Sequence, residues 1–184
     1  MIISSRFLNK IPRISADFSF FVFTALLFLF RDSQTVYGFI NVCIIHELGH
    51  FAAITLFGVK IKHIKLSFFG ICIETEKGGR STFFSSTAIL LSGPAANIIL
   101  FILLELSGIH HDTAILSLVT GIYNLLPFSS LDGGAAAELF ITGSEHERFY
   151  RILLKIVRIL IVSILIIIMM HEQQLYRLMQ YLQM

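Results

Sequence analysis

The pentapeptide His46-Glu47-Leu48-Gly49-His50 combines two imidazoles with a carboxylate at a spacing that suits metal chemistry. Residues four positions apart lie on one face of an α-helix, so His46 and His50 can offer ring nitrogens to a single metal ion. Glu47 lies one position along, where its carboxylate can reach a metal-bound water without binding the metal. This H-E-x-x-H arrangement is typical of zinc peptidases.

The motif lies in an apolar segment of a very apolar chain. Of the 184 residues, 55% are hydrophobic and 14% are charged, against roughly 25% charged in soluble domains. A soluble domain of this size could not hide so much apolar surface. We therefore expect an all-α integral membrane protein with one membrane-embedded domain, 1–184.

Three ionisable side chains inside a membrane span need a reason to be there. Each costs about 2.5–3.5 kcal/mol at the centre of a span on insertion scales and is a functional candidate by default. The alternative is a pair of packing histidines bonded to neighbouring carbonyls. That interpretation leaves Glu47 without a partner in hydrocarbon, so we favour the metal site.

Hydropathy predicts about five transmembrane helices, which cover approximately residues 18–30, 36–58, 83–109, 113–142 and 152–170. The first is short for a span that needs about 20 residues, and we interpret it as a retained anchor because no small-residue cleavage pattern follows it. Residues 59–80 alternate in polarity and predict a short β-hairpin around Gly70 at the cytoplasmic membrane surface. The catalytic core would be 36–142, and the mildly amphipathic tail 171–184 would lie along the interface.

Basic residues predict the orientation of the spans. Lysine and arginine are concentrated in the hairpin segment and after residue 142, whereas the 110–112 connection has none. The positive-inside rule then places the N-terminus, the hairpin and the 143–151 connection in the cytoplasm, with the active-site opening on that side. Four basic residues of the last span fall on one helix face, where we expect them to reach anionic headgroups or, less favoured, a partner protein: Arg148, Arg151, Lys155 and Arg158.

Asp132 is the candidate for a third metal ligand, since a catalytic zinc site needs three protein ligands and one open position. Pro127 interrupts its span, and Gly133-Gly134 allow a close backbone approach. Irregular backbone at membrane depth is tolerated only where it is buried in protein or lines a cavity. Leu48 and Asp132 both lie about ten residues, or roughly 15 Å, from the cytoplasmic end of their spans, so the two halves of the site share one depth.

These residues carry a resemblance to a known family. His46–His50, together with Asn124, Pro127 and Asp132–Gly134, resemble the motifs of the site-2 protease family (peptidase M50) of intramembrane metalloproteases. Ser92–Asn97 is similar to that family's Gly-Pro-x-x-Asn element. In all, the resemblance extends over more than half of the chain.

The small size, the hairpin and Asn124–Pro127 are similar to the sporulation factor IVFB branch in particular. That branch usually adds a C-terminal regulatory CBS domain, which we do not expect within these 184 residues. Ser67–Gly70 also lacks the Pro-Phe-Gly-Gly often seen in the branch.

The resemblance implies metal-assisted peptide hydrolysis with one zinc ion and three protein ligands, which are His46, His50 and Asp132. Glu47 would be the general base, and Asn124 or Asn97 would help to stabilise the oxyanion. Either asparagine could instead serve only as a hydrogen bond between helices. The implied substrate is a membrane or membrane-associated protein, whose cleavage releases a cytoplasmic product such as a regulatory factor. A gating or inhibitory membrane partner is also implied.

Other function classes fit the sequence less well. The net charge of +2 and the absence of basic residues alternating with aromatics argue against nucleic acid, so the lipid bilayer and proteins are the expected partners. A catalytically silent metal-binding scaffold for client helices would not need Glu47. A metal transporter would want several sites across the bilayer, whereas the deep polar residues converge at one level.

Overall fold

The computed structural model describes residues 13–67, 70–75, 82–108 and 111–182. The elements in chain order are β1 (Arg13–Ala16), α1 (Phe18–Phe30), α2 (Ser33–Leu56), β2 (Ile61–Ser67), β3 (Gly70–Thr75), α3 (Phe83–Ser107), α4 (His111–Leu125), α5 (Asp132–Ile141) and α6 (Glu147–Leu182). The protein is therefore mainly helical, with one small sheet.

Among the described residues, three helices are long and apolar enough to cross a membrane: α2, α3 and the Glu147–Glu172 part of α6. The span expected over 113–142 consists of two helices, α4 and α5, and the break between them contains Pro127, where the sequence predicted an interruption. Helix α1 has 13 residues and is too short to cross alone. Helix α6 begins before residue 152 and continues without a break through the tail to Leu182.

Helix α2, which carries the H-E-x-x-H motif, is defined at both ends by local interactions. The Asp32 carboxylate accepts a hydrogen bond from the Thr35 backbone N–H at 2.8 Å, which satisfies one of the unpaired donors of the first turn. The same contact lowers the pKa of Asp32. After Leu56 the chain turns at Gly58, whose φ of 63° favours glycine.

The sheet contains the predicted hairpin and one additional strand. β2 and β3 pair antiparallel, while β1 pairs parallel to the other edge of β2, an arrangement that the sequence analysis missed. Lys65 and Asp17 form an ion pair at 2.9 Å beside this junction. Because β1 leads into α1 and β2 follows α2, the start of α1 and the end of α2 lie on the same side of the molecule.

The core lies where α2, α3, α4 and α5 meet, and small residues let the helices approach closely. A Cβ added at Gly49 of α2 would lie 2.5 Å from the Ser92 carbonyl oxygen of α3 and 2.8 Å from Ala96 Cβ. At Gly121 of α4 it would lie 3.2 Å from the Pro94 carbonyl oxygen. Such close packing of backbones is typical of helix association in membranes.

We expect Gly49→Ala to destabilise the protein, because the new methyl group must push the backbone of α3 away. Overpacking of this kind costs about 1–3 kcal/mol. Gly38→Ala, in the same helix, is the matched control, since its Cβ would meet only the Thr113 hydroxyl at 3.3 Å. Thermal unfolding in detergent should show a lower midpoint for Gly49→Ala than for Gly38→Ala, and equal midpoints would contradict the packing described above.

Candidate metal centre

Two imidazoles and one carboxylate meet between α2 and the start of α5. The Nε2 atoms of His46 and His50 are 3.1 Å apart. The Asp132 Oδ2 atom lies 3.0 Å from His46 Nε2 and 3.3 Å from His50 Nε2. One ligand atom from each residue thus lies within 4.8 Å of the others, and no other such group of three occurs among the described residues. The structure brings together the three residues that the sequence predicted as metal ligands. That they bind an ion stays a prediction.

The hydrogen bonds of His50 show which of its two ring nitrogens carries the proton and which has a lone pair free for a metal ion. Its Nδ1 lies 2.7 Å from the Ile89 carbonyl oxygen, which can only accept, so Nδ1 carries the proton. In the neutral ring Nε2 then has a free lone pair directed at His46 and Asp132. Two ring nitrogens and a carboxylate are a ligand set that suits zinc, and a cation would remove the repulsion between them. The cluster is compatible with a zinc ion.

Asp132 reaches the histidines because the chain before it folds tightly. The Leu131 backbone N–H donates to the Phe128 carbonyl oxygen at 2.8 Å. A Cβ at Gly133 would overlap the Leu125 backbone, and one at Gly134 would overlap the Phe128 backbone. Only glycine therefore allows α5 to begin at this depth with the Asp132 carboxylate facing α2.

Glu47 lies next to the cluster of His46, His50 and Asp132 but is not hydrogen-bonded to these residues. Its side chain is half-buried and within electrostatic reach of His50 and Asp132. It forms no hydrogen bond or ion pair with the other residues that the structure describes. A carboxylate so placed is available to accept a proton from a water beside the cluster.

Comparison with known proteins finds related sequences. The chain is 30% identical over 155 residues to stage IV sporulation protein FB of Bacillus subtilis, an alignment that covers 80% of the chain and 53% of that protein. It is 28% identical over 116 residues to a Synechocystis protein with the provisional name zinc metalloprotease, covering 55% of the chain and 30% of that protein. The chain thus spans about half or less of the length of these relatives. No family model matches the sequence.

A solved structure has the same fold. The site-2 protease from Methanocaldococcus jannaschii superimposes with a TM-score of 0.58 and 21% sequence identity, over 72% of this chain and 68% of that one. Together with the relatives, this shows that the chain is similar in sequence to stage IV sporulation protein FB and in fold to a site-2 protease. The family resemblance and the sporulation-type relative predicted from the motifs are confirmed.

The two asparagines of the site-2 protease motifs occupy different surroundings in this structure. Asn97, on α3, is fully buried and places Nδ2 at 3.1 Å from Nδ1 of His46. Asn124, near the end of α4, donates through Nδ2 to the Thr120 carbonyl oxygen at 3.0 Å. Neither contact involves a substrate, so the oxyanion role of both residues stays a prediction. The contact of Asn97 with His46 was not foreseen, because it depends on how closely α2 and α3 approach.

Arg158 connects α6 to the segment that precedes Asp132. Its Nε donates to the Pro127 carbonyl oxygen, and its Nη2 lies 3.2 Å from Glu138 Oε1 of α5. The expectation that Arg158 reaches lipid headgroups is therefore wrong. Arg151 differs, since among the described residues it pairs only with Glu147, at 2.8 Å, in the first turn of the same helix.

We expect Gly93→Ala to weaken metal binding severely. A methyl group here would lie 2.7 Å from His46 Nε2 and even closer to His50 Nε2, so both rings would have to move. Zinc content after purification should fall well below that of the wild type. Gly38→Ala serves as the control for adding a methyl group to a helix, and full zinc occupancy in Gly93→Ala would show that the rings do not need this space.

Arg158→Met should loosen the segment 126–131 while leaving its helices intact. The substitution keeps an apolar stem of similar length but removes the donors to Pro127 and Glu138. Hydrogen exchange should become faster in 126–131 by roughly tenfold, the effect of losing about 1.4 kcal/mol of local stability. Arg151→Met, which removes an exposed ion pair of the same helix, should leave that segment unchanged. Equal exchange in both variants would argue against the connection.

Proposed function

We propose that the chain is an intramembrane zinc metalloendopeptidase that hydrolyses peptide bonds within or next to transmembrane segments of membrane-associated proteins. The observation that carries this proposal is the meeting of His46, His50 and Asp132 within 4.8 Å, inside a bundle of membrane-spanning helices. Ionisable groups are too costly at such a position to be placed there without a function.

One zinc ion would be held by the Nε2 atoms of the two histidines and by the Asp132 carboxylate. When bound, it would supply Lewis-acid activation of water and of the scissile carbonyl group. The Ile89 carbonyl oxygen keeps the His50 proton on Nδ1, so that Nε2 remains a donor of electrons. The Asp132 side chain is 19% exposed and the histidine side chains are 8% and 12% exposed, which leaves a narrow approach for water and peptide.

Glu47 is the proposed general base. Its carboxylate would accept a proton from the attacking water and then deliver it to the leaving amine, as positioned carboxylates do in general acid–base catalysis. Its freedom from hydrogen bonds with the other described residues supports this role, because a carboxylate held in an ion pair could not move between water and amine.

The surroundings of the site support a proposal for the substrate class and for the direction in which the site opens. The candidate span of α6 has none of its length buried in the protein, so lipid or a client helix can lie along it. We propose that the active site opens to the cytoplasm and releases a cytoplasmic product, with a membrane partner gating access. The pairing of β1 with β2 supports a shared side for residues 13–16 and the hairpin, as the positive-inside rule requires.

Glu47→Gln should abolish cleavage and keep the metal. The amide preserves the shape of the side chain but cannot accept a proton, so turnover should fall by at least about 10²–10⁴-fold, the usual contribution of a general base. Proteomics of membrane-protein fragments in cells that express the wild type or Glu47→Gln measures the loss, and metal analysis of both purified proteins should give about one zinc.

His46→Ala provides the control, since it should lose zinc and cleavage together. Cleavage that persists in Glu47→Gln would refute the assigned base. Zinc binding without any wild-type cleavage product would favour a metal-binding scaffold over a protease.

A further inference from the structure

We propose that Asn97 is a positioning residue of the metal centre, which orients His46 and accepts a hydrogen bond from its Nδ1–H group when a metal occupies Nε2. The proposal rests on the metal site proposed above and adds to it a residue outside the ligand set. It also departs from the oxyanion role that the sequence motif implied for Asn97.

The first argument is the position of Asn97 relative to the His46 ring. Its amide contacts Nδ1 at 3.1 Å, while Nε2 on the opposite side of the ring lies 3.0 Å from Asp132. The imidazole is thus held between α3 and α5 in one orientation. Metal-ligating histidines usually have a partner on the second nitrogen, and such partners fix the ring and its tautomer.

The second argument is how firmly Asn97 itself is held. The residue is 0% exposed, and its backbone carbonyl oxygen accepts a hydrogen bond of 2.9 Å from the Ser117 hydroxyl of α4, which is also 0% exposed. Gly121 lets α4 approach so closely that an added Cβ would lie 3.3 Å from Asn97 Cβ. The backbone and Cβ of Asn97 are therefore held in place, and the amide group can move only by rotation about the side-chain bonds.

The third argument concerns which amide atom faces His46. A neutral imidazole that donates electrons from Nε2 carries its proton on Nδ1 and needs an acceptor there. Asn97 Oδ1 is a buried acceptor with no hydrogen-bond partner among the described residues. Rotation of the amide by half a turn places Oδ1 against Nδ1 and gives this oxygen a donor.

The two histidines therefore have partners of different kinds. His50 faces a backbone carbonyl group, which can only accept, so its proton stays on Nδ1. His46 faces an amide, which can donate or accept. With Nδ2 toward the ring, His46 can carry its proton on Nε2 and donate it to Asp132, which holds the pair together at 3.0 Å. With Oδ1 toward the ring, Nε2 is free for a metal.

Two substitutions separate the accepting role from simple packing. Asn97→Asp keeps the shape and always offers an acceptor, whereas Asn97→Leu keeps a similar volume and offers none. Zinc affinity of the detergent-solubilised protein, measured by competition with a chromophoric chelator, should fall about 10–100-fold in Asn97→Leu. In Asn97→Asp it should stay within a few-fold of the wild type or become tighter.

Ser85→Ala is the matched control, because it removes a buried hydrogen bond at the start of the same helix without touching Asn97 or His46. It should lower the unfolding midpoint and leave zinc affinity unchanged. Wild-type affinity in Asn97→Leu would overturn the inference, and so would an Asn97→Asp protein that binds as weakly as Asn97→Leu. If Asn97→Leu does not fold, Asn97→Val, a smaller apolar side chain that also offers no acceptor, takes its place with the same expected loss of zinc affinity. A wild type that binds no zinc would overturn the proposed function itself, a result distinct from either of these.

Discussion

The structure depends on one constraint, which is that two imidazoles and a carboxylate must be stabilised in a region where water is scarce. Each polar atom placed there without a partner costs free energy. The outer nitrogen of His50 is paired with the Ile89 carbonyl oxygen, and that of His46 with the Asn97 amide. Both partners come from α3, so the close contact of α2 with α3 is what makes the cluster tolerable.

The carboxylate is supplied by a different kind of structure. Asp132 lies 86 residues from His46 and is the first residue of a helix that follows an irregular segment. Such a segment is tolerated within a membrane only where protein surrounds it. Arg158 meets part of this need by donating to the Pro127 carbonyl oxygen, while glycines let the segment fold against itself. The Asp132 carboxylate is thus positioned by backbone packing and by a cation from α6.

The sequence allowed the three candidate ligands to be singled out because their signals are local. His46 and His50 are four residues apart on a helix, and the Pro127 and Gly133-Gly134 interruption singled out Asp132. The contacts that support these residues are not local. Arg158 shares a helix face with three other basic residues, and nothing in that spacing shows that a carbonyl group lies opposite it. The pairing of Asn97 with His46 and the strand β1 likewise depend on distances between segments that periodicity cannot supply.

Helix α6 has a further consequence because of its size. Its 36 residues extend about 54 Å, whereas the hydrocarbon layer is about 30 Å thick. The helix must therefore tilt or project from the bilayer. A small change in its tilt then displaces its C-terminal end over a long distance. Arg158, in the first third of this helix, contacts the Pro127 carbonyl oxygen and the Glu138 carboxylate. The tilt of this long helix therefore bears on the position of the segment that precedes Asp132.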